Sequence, residues 1–136
     1  MKILKVLTKR REIGNAGEKA AAKFLKKQGY RILERNYVSC GYEIDLIAQN
    51  RDCTVFCEVK TRTLGHENPK EARPASSVTT EKQRKIISVA KFYLSNKNNG
   101  RNIRFDIIEV FVNEEKAVEK LNHLEAAFNL NTAYGH

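Results

Sequence analysis

Apolar residues follow two different spacings along this chain, and these spacings predict two helices and four strands. A stripe made of Ala20, Ala21, Phe24 and Leu25 recurs at helical spacing within residues 11–28, and this predicts an amphipathic helix. Helical spacing returns once more, over residues 78–96, and predicts a second helix.

The ends of the first helix are predicted from its polar residues. Asn15, with Glu18 three residues later, has the spacing of a capping box, and Gly29 suits the left-handed position after a last turn. The helix is therefore expected to begin near Asn15 and to end before Gly29. Residues 1–11 are then expected to form a flexible segment ahead of it.

Apolar and polar residues alternate over four shorter runs, as they do in strands that are buried on one face. A polar segment, residues 49–52, separates the second run from the third and is typical of the turn in a hairpin. Residues from 113 onwards fit either a helix or a short strand followed by one turn. The four runs cover residues 30–38, 44–48, 54–59 and 103–112.

The predicted order is α-β-β-β-α-β, which describes an α/β fold with a mixed central sheet flanked by helices. A chain of 136 residues is expected to form one domain, residues 1–136. Residues 63–77 contain both prolines without any periodic pattern and are predicted to form a long loop. Because no apolar run approaches the roughly 20 residues of a membrane helix and no signal peptide is evident, we expect a cytoplasmic protein without membrane contact.

The charge balance adds an expectation about partners. Lysine and arginine number 25 against 16 acidic residues, which gives a formal charge of +9 and a pI near 9.6. Such an excess favours a polyanionic partner, and nucleic acid is the commonest one.

Four ionisable residues interrupt the otherwise apolar hairpin. Side chains alternate between the faces of a strand, so Glu43 shares a face with Asp45, and Glu58 shares a face with Lys60. Burying carboxylates is costly unless a cation neutralises them. The pattern therefore predicts a metal site, in which Asp45 and Glu58 are oxygen ligands of the kind that Mg²⁺ prefers and Lys60 holds the attacking water or stabilises charge on phosphorus.

The same residues carry a resemblance to known proteins. The segments GYEIDLIA, residues 41–48, and VFCEVKTR, residues 55–62, resemble the active-site hairpin of the PD-(D/E)xK nuclease superfamily. More closely they resemble the YraN-like family, which is similar to Holliday-junction resolvases. Further blocks resemble that family in its own order: residues 14–30, 36–37, 78–84, 90–94 and 104–106.

The resemblance implies a restriction-endonuclease-like core and a role for each matching residue. Asp45 and Glu58 would bind Mg²⁺, for which Mn²⁺ can substitute, and Lys60 would be catalytic. Glu18 would reach the same metal, although its position near a helix start also fits a carboxylate that merely favours the helix dipole. Glu43 would be either an outer group of the site or a charge at the strand edge.

Three cations are expected to face the nucleic-acid backbone near the cleaved phosphate: Arg62, Lys82 and Arg84. One position departs from the family pattern, because Tyr42 stands where a glycine-rich step usually precedes the E-I-D triplet. The acidic residues of the motif are intact.

Three functions remain open from the sequence. The first is a Mg²⁺-dependent DNA endonuclease, with branched or recombination and repair DNA as candidate substrates. The second is a non-catalytic nucleic-acid-binding protein with the same fold, and the third is a partner-binding protein whose acids only balance nearby cations. Symmetric cleavage of branched DNA would call for a homodimer, and the strand over residues 103–112 fits either a sheet edge or the sheet interior.

Overall fold

A computed structural model describes residues 2–65, 78–95, 97 and 100–131, with side chains from residue 9 onwards. This part of the chain forms two helices and five strands, which are numbered here in chain order. Their bounds are α1 Lys2–Lys27, β1 Arg31–Ser39, β2 Tyr42–Gln49, β3 Cys53–Thr63, α2 Thr80–Leu94, β4 Asn102–Val112 and β5 Val118–Phe128.

The five strands form one mixed sheet in the order β1-β2-β3-β4-β5. β3 and β4 are parallel, whereas the three other neighbouring pairs are antiparallel. A parallel pair needs a crossover, and α2 lies in that connection. The expected α/β fold, with a mixed sheet flanked by helices, is confirmed.

Each helix covers one face of the sheet, because neighbouring residues of a strand point to opposite faces. Phe56 of β3 packs in a cluster with Ile86 and Ile87 of α2. Its neighbour Cys57 packs in a second cluster with Leu25 of α1. The sheet is therefore buried on both sides.

The predicted start of the first helix is wrong. α1 begins at Lys2, so Asn15 lies inside the helix, and residues 2–11, expected to form a flexible segment, belong to it. Most residues of this region are lysine, leucine or arginine, which favour helix. Gly17 lies where the helix passes close to β3, since a Cβ atom there would be 1.9 Å from Oγ1 of Thr61.

The structure also decides two open points near the C-terminus. Residues 118–128 form a strand, β5, so the helical alternative for this segment is wrong. β4 lies between β3 and β5, so it is an interior strand and the edge alternative is excluded. Of the predicted loop over residues 63–77, residue 63 ends β3, and residues 66–77 lie outside the described residues.

No helix among the residues that the structure describes combines the length and the apolar composition needed to cross a membrane.

Candidate metal centre

The site begins where the pairing of β2 and β3 gives way to a side-chain contact. The ladder between these strands includes Leu46 opposite Cys57. One residue before Leu46, the Asp45 carboxylate accepts a hydrogen bond from the backbone N–H of Val59, with 2.7 Å between Oδ2 and the nitrogen. The hydrogen bond fixes Asp45 against the part of β3 that carries the other motif residues.

Three carboxylates from two elements converge at this point. Glu18 of α1 and Glu43 and Asp45 of β2 each offer an oxygen, and these oxygens all lie within 4.8 Å of one another. Carboxylate oxygens are hard ligands of the kind that Mg²⁺ binds. These three donors form a candidate cation site, and Mg²⁺ as its occupant stays a prediction.

Asn36 of β1 links two members of this cluster. Its Nδ2 donates hydrogen bonds to Oε2 of Glu18 at 3.0 Å and to Oε1 of Glu43 at 2.8 Å. Its φ of 51° lies in the left-handed region, which asparagine tolerates better than most residues. Sequence analysis did not identify Asn36 as a site residue; its only signal was the resemblance of residues 36–37 to a block of the family.

The predicted ligand set thus differs from the observed grouping. The sequence predicted Glu18, Asp45 and Glu58, whereas the carboxylates that converge are those of Glu18, Asp45 and Glu43. The Glu58 side chain instead faces Lys60, with 3.9 Å between Oε1 and Nζ. Direct binding of a metal by Glu58 stays a prediction.

Electrostatics nevertheless join Glu58 to the cluster. Burial raises the pKa of the Glu58 carboxyl above its ordinary value, although the positive charges of Lys60 and Lys82 act in the opposite direction. The negative charges of Glu43 and Glu18 raise this pKa further. Glu58 therefore lies close enough to the three clustered carboxylates to interact with them electrostatically, and Lys60 lies beside Glu58.

Asp45 experiences the strongest effect of this crowding. Burial and the neighbouring charge of Glu58 raise its pKa to about 8, against the opposing effect of the Val59 N–H. Burial and the charges of Glu58 and Asp45 also raise the pKa of Tyr42 to about 12, so this tyrosine borders the site. A bound cation would relieve the cost of holding such acids together in a poorly solvated place.

The three predicted backbone-binding cations lie in different surroundings. Lys82 is in the first turn of α2, where its backbone N–H is capped by the Thr79 hydroxyl, and its charge reaches Glu58. Arg84 is exposed on the same helix. The Arg62 guanidinium pairs with Glu109 at 3.0 Å, and their side chains are only 14% and 4% exposed. Contact of each cation with a phosphate stays a prediction.

Comparison with known proteins gives a consistent family but no activity. A family model described as the uncharacterised protein family UPF0102 matches residues 17–110, a range that contains every carboxylate of the site. A UPF0102 protein of Caldanaerobacter subterraneus is 44% identical over 121 residues, covering 88% of this chain and 96% of its own length. A UPF0102 protein of Clostridioides difficile is 42% identical, covering 87% of this chain and 97% of its own length. A UPF0102 protein of Clostridium perfringens is 44% identical, covering 88% of this chain and 96% of its own length.

Proposed function

We propose that this protein, which belongs to the UPF0102 family, is a metal-dependent DNA endonuclease of the PD-(D/E)xK type. UPF0102 is the YraN-like family that its motifs resemble. The observation that carries the proposal is the convergence of Glu18, Glu43 and Asp45 within 4.8 Å, next to the Glu58 and Lys60 pair on the adjoining strand. Burial and mutual repulsion disfavour the charged forms of Asp45 and Glu58, and carboxylates perturbed in this way are concentrated at functional sites.

Each side chain has a definite task in phosphodiester hydrolysis. Asp45, Glu18 and Glu43 are the groups that would hold the ion, with Glu58 beside them. A bound Mg²⁺ supplies a water of lowered pKa and draws charge from a phosphoryl oxygen. Lys60 donates a hydrogen bond to the attacking water or to the oxygen on which negative charge develops, which stabilises the transition state.

The positive groups around the site support nucleic acid as the substrate. Lys82 is close enough to Glu58 to influence its pKa, and Arg84 is exposed on the same helix. The whole chain carries a formal charge of +9, which attracts a polyanion over distances of about 10 Å at ordinary salt. DNA is therefore the substrate class that the surroundings of the acids favour.

The proposal is tested by cleavage of labelled branched, linear duplex and single-stranded DNA with Mg²⁺ or Mn²⁺. Asp45→Asn and Glu58→Gln should each lower the rate by roughly 100-fold or more, because they remove charges that act on the reacting groups. Both variants should bind metal-free DNA at least as well as the wild type. The matched control is Glu115→Gln, which removes an exposed carboxylate in the β4–β5 turn.

Two results would contradict the endonuclease proposal. One is a wild-type protein that cleaves none of these substrates with either metal. The other is cleavage that survives both substitutions unchanged. DNA binding without cleavage would instead favour a non-catalytic nucleic-acid-binding protein.

A further inference from the structure

A groove of about 290 Å³ lies between α1 and the edge strand β1 and ends at the acidic cluster. Leu46, which is 1% exposed, is the apolar residue among those that line it. Glu18 and Asn36 also line it, so the groove reaches two of the groups that build the candidate metal centre. Asn15, Lys19 and Arg35 complete the lining.

Lys19 and Arg35 give this groove a positive charge next to the negative site. Both side chains are exposed, Lys19 on α1 and Arg35 on β1. Within the described part of the chain, neither forms a hydrogen bond or an ion pair with another residue. An arginine that is not engaged by a carboxylate can offer two parallel N–H donors to a phosphate.

A second cleft, of about 340 Å³, approaches the cluster from the other side of α1. It is lined by Arg10 and Gly14 of the helix and by Thr61 and Thr63 of β3, and it shares Glu18 with the first groove. Glu18 of the acidic cluster thus borders both clefts.

We infer that the groove between α1 and β1 binds the DNA phosphate adjacent to the one that is cleaved, with Lys19 and Arg35 as its anion-binding side chains. The inference rests on the proposed function, because it places one phosphate in relation to another at the metal. It also has a physical basis, since clustered carboxylates repel a phosphate unless cations nearby compensate. Lys19 and Arg35 lie on the two walls of the groove and supply that compensation.

The first test measures binding alone, without metal. Lys19→Gln with Arg35→Gln should lower the slope of log affinity against log salt by about 2, because each lost phosphate contact removes about one unit. The matched control is Lys26→Gln with Lys27→Gln, which removes the same charge from the last turn of α1. The probe is a fluorescein-labelled DNA duplex, followed by anisotropy over a salt series, and the control should change the slope by clearly less.

The second test locates the bound phosphate. After the cleaved bond is mapped, the phosphate on either side of it is replaced in turn by an uncharged methylphosphonate. For the wild type, one of these replacements should weaken binding in Ca²⁺, used in place of Mg²⁺. In the Lys19→Gln, Arg35→Gln protein the same replacement should have little further effect, because interacting groups are not additive.

The outcomes separate this inference from the proposed function. The groove does not bind this phosphate if both charge variants lower the slope equally, or if the affinity losses from the protein substitutions and from the methylphosphonate simply add. Either result leaves the endonuclease proposal unaffected. If the wild type shows no cleavage but the groove variant alone loses the salt dependence, the endonuclease proposal fails. The groove is then a nucleic-acid-binding site without a cleaved phosphate beside it, which overturns the inference as stated.

Discussion

The carboxylate of Asp45 accepts a hydrogen bond from the backbone N–H of Val59, with 2.7 Å between oxygen and nitrogen. Val59 lies between Glu58 and Lys60 in the sequence. The contact therefore ties the acid of β2 to the backbone segment that presents the other two motif residues. A site whose groups are held on strands in this way keeps its geometry better than one built on loops.

Replacing this acid should separate metal binding from folding. Asp45→Asn keeps an oxygen acceptor for the Val59 N–H but removes one of the four neighbouring carboxylate charges of the site. We expect the metal-free variant to be more stable than the wild type by roughly 1 kcal/mol at about pH 9, because functional sites often hold unfavourable charges. Urea unfolding at that pH measures the difference.

The same variant should lose its response to metal. Added Mg²⁺ or Mn²⁺ should raise the Tm of the wild type, because a ligand of the folded state stabilises it. The Tm of Asp45→Asn should rise much less, whereas Glu115→Gln should behave like the wild type. An equal rise in Asp45→Asn and wild type would mean that the metal binds elsewhere.

Asn36 offers a test of positioning, because its side chain and its backbone contribute separately. Asn36→Gly keeps a residue that accepts the φ of 51° but removes the amide that bridges Glu18 and Glu43. We expect Mn²⁺ affinity, measured by calorimetry, to fall by roughly 10-fold or more, as it does when groups that orient metal ligands are lost.

The control for that prediction is Asn36→Ala, which also lacks the amide and adds strain of about 1 kcal/mol at a left-handed position. Both variants should lose metal affinity to a similar extent, but only the alanine variant should lose clear stability. If Asn36→Gly binds Mn²⁺ like the wild type, Asn36 has a role in the backbone alone.

The sequence predicted four of the five strands and the charged hairpin motif because both depend on local patterns. Asp45 and Glu58 stood out as charges on apolar strands, and β2 and β3 extend the predicted runs only at their ends. Alternation predicted that Glu43 shares a face with Asp45, but the convergence of both with Glu18 could not be predicted from local patterns. It depends on the Asn36 amide, which bridges Glu18 and Glu43, and on the place where α1 brings Glu18 to the sheet.

The missed start of α1 has a similar cause. Gly14 and Asn15 are typical of helix ends, so they favoured a boundary that the helix does not have. Gly17 is explained only by a distant contact, because the helix passes Thr61 of β3 at a distance that leaves no room for a side chain. Local sequence contains no information about that approach.

This contact makes Gly17→Ala a sharp test of how α1 is placed. Alanine favours helix over glycine by about 1 kcal/mol, but its Cβ would lie 1.9 Å from Oγ1 of Thr61 and 2.9 Å from Cβ of Thr61. We expect a net loss of stability of roughly 1 to 3 kcal/mol from overpacking. Because the shift moves the neighbouring Glu18, Mn²⁺ affinity should fall as well.

Gly14→Ala is the matched control on the same helix, since no atom lies within 4 Å of a Cβ placed there. This variant should gain up to about 1 kcal/mol from helix propensity and keep its metal affinity. A Gly17→Ala protein that is stabilised like Gly14→Ala would show that α1 does not pack so closely on β3.

The buried carboxylate of Asp106 predicts how stability depends on pH. Burial alone would raise its pKa, but hydrogen bonds from His123 at 2.7 Å, Arg104 at 2.8 Å and the backbone N–H of Ala126 at 3.0 Å outweigh burial, so the pKa is lowered. A group whose pKa is lower in the folded than in the unfolded state stabilises the protein above its unfolded pKa, about 4, and this contribution is lost as the pH falls through the folded pKa.

Urea unfolding over a pH series should therefore show wild-type stability falling below about pH 4. The Asp106→Asn variant should lose roughly 3 kcal/mol of stability at neutral pH, but its stability should fall less steeply in acid. Asp52→Asn, at an exposed turn, should keep the wild-type slope, and an unchanged slope in Asp106→Asn would rule out Asp106 as its source.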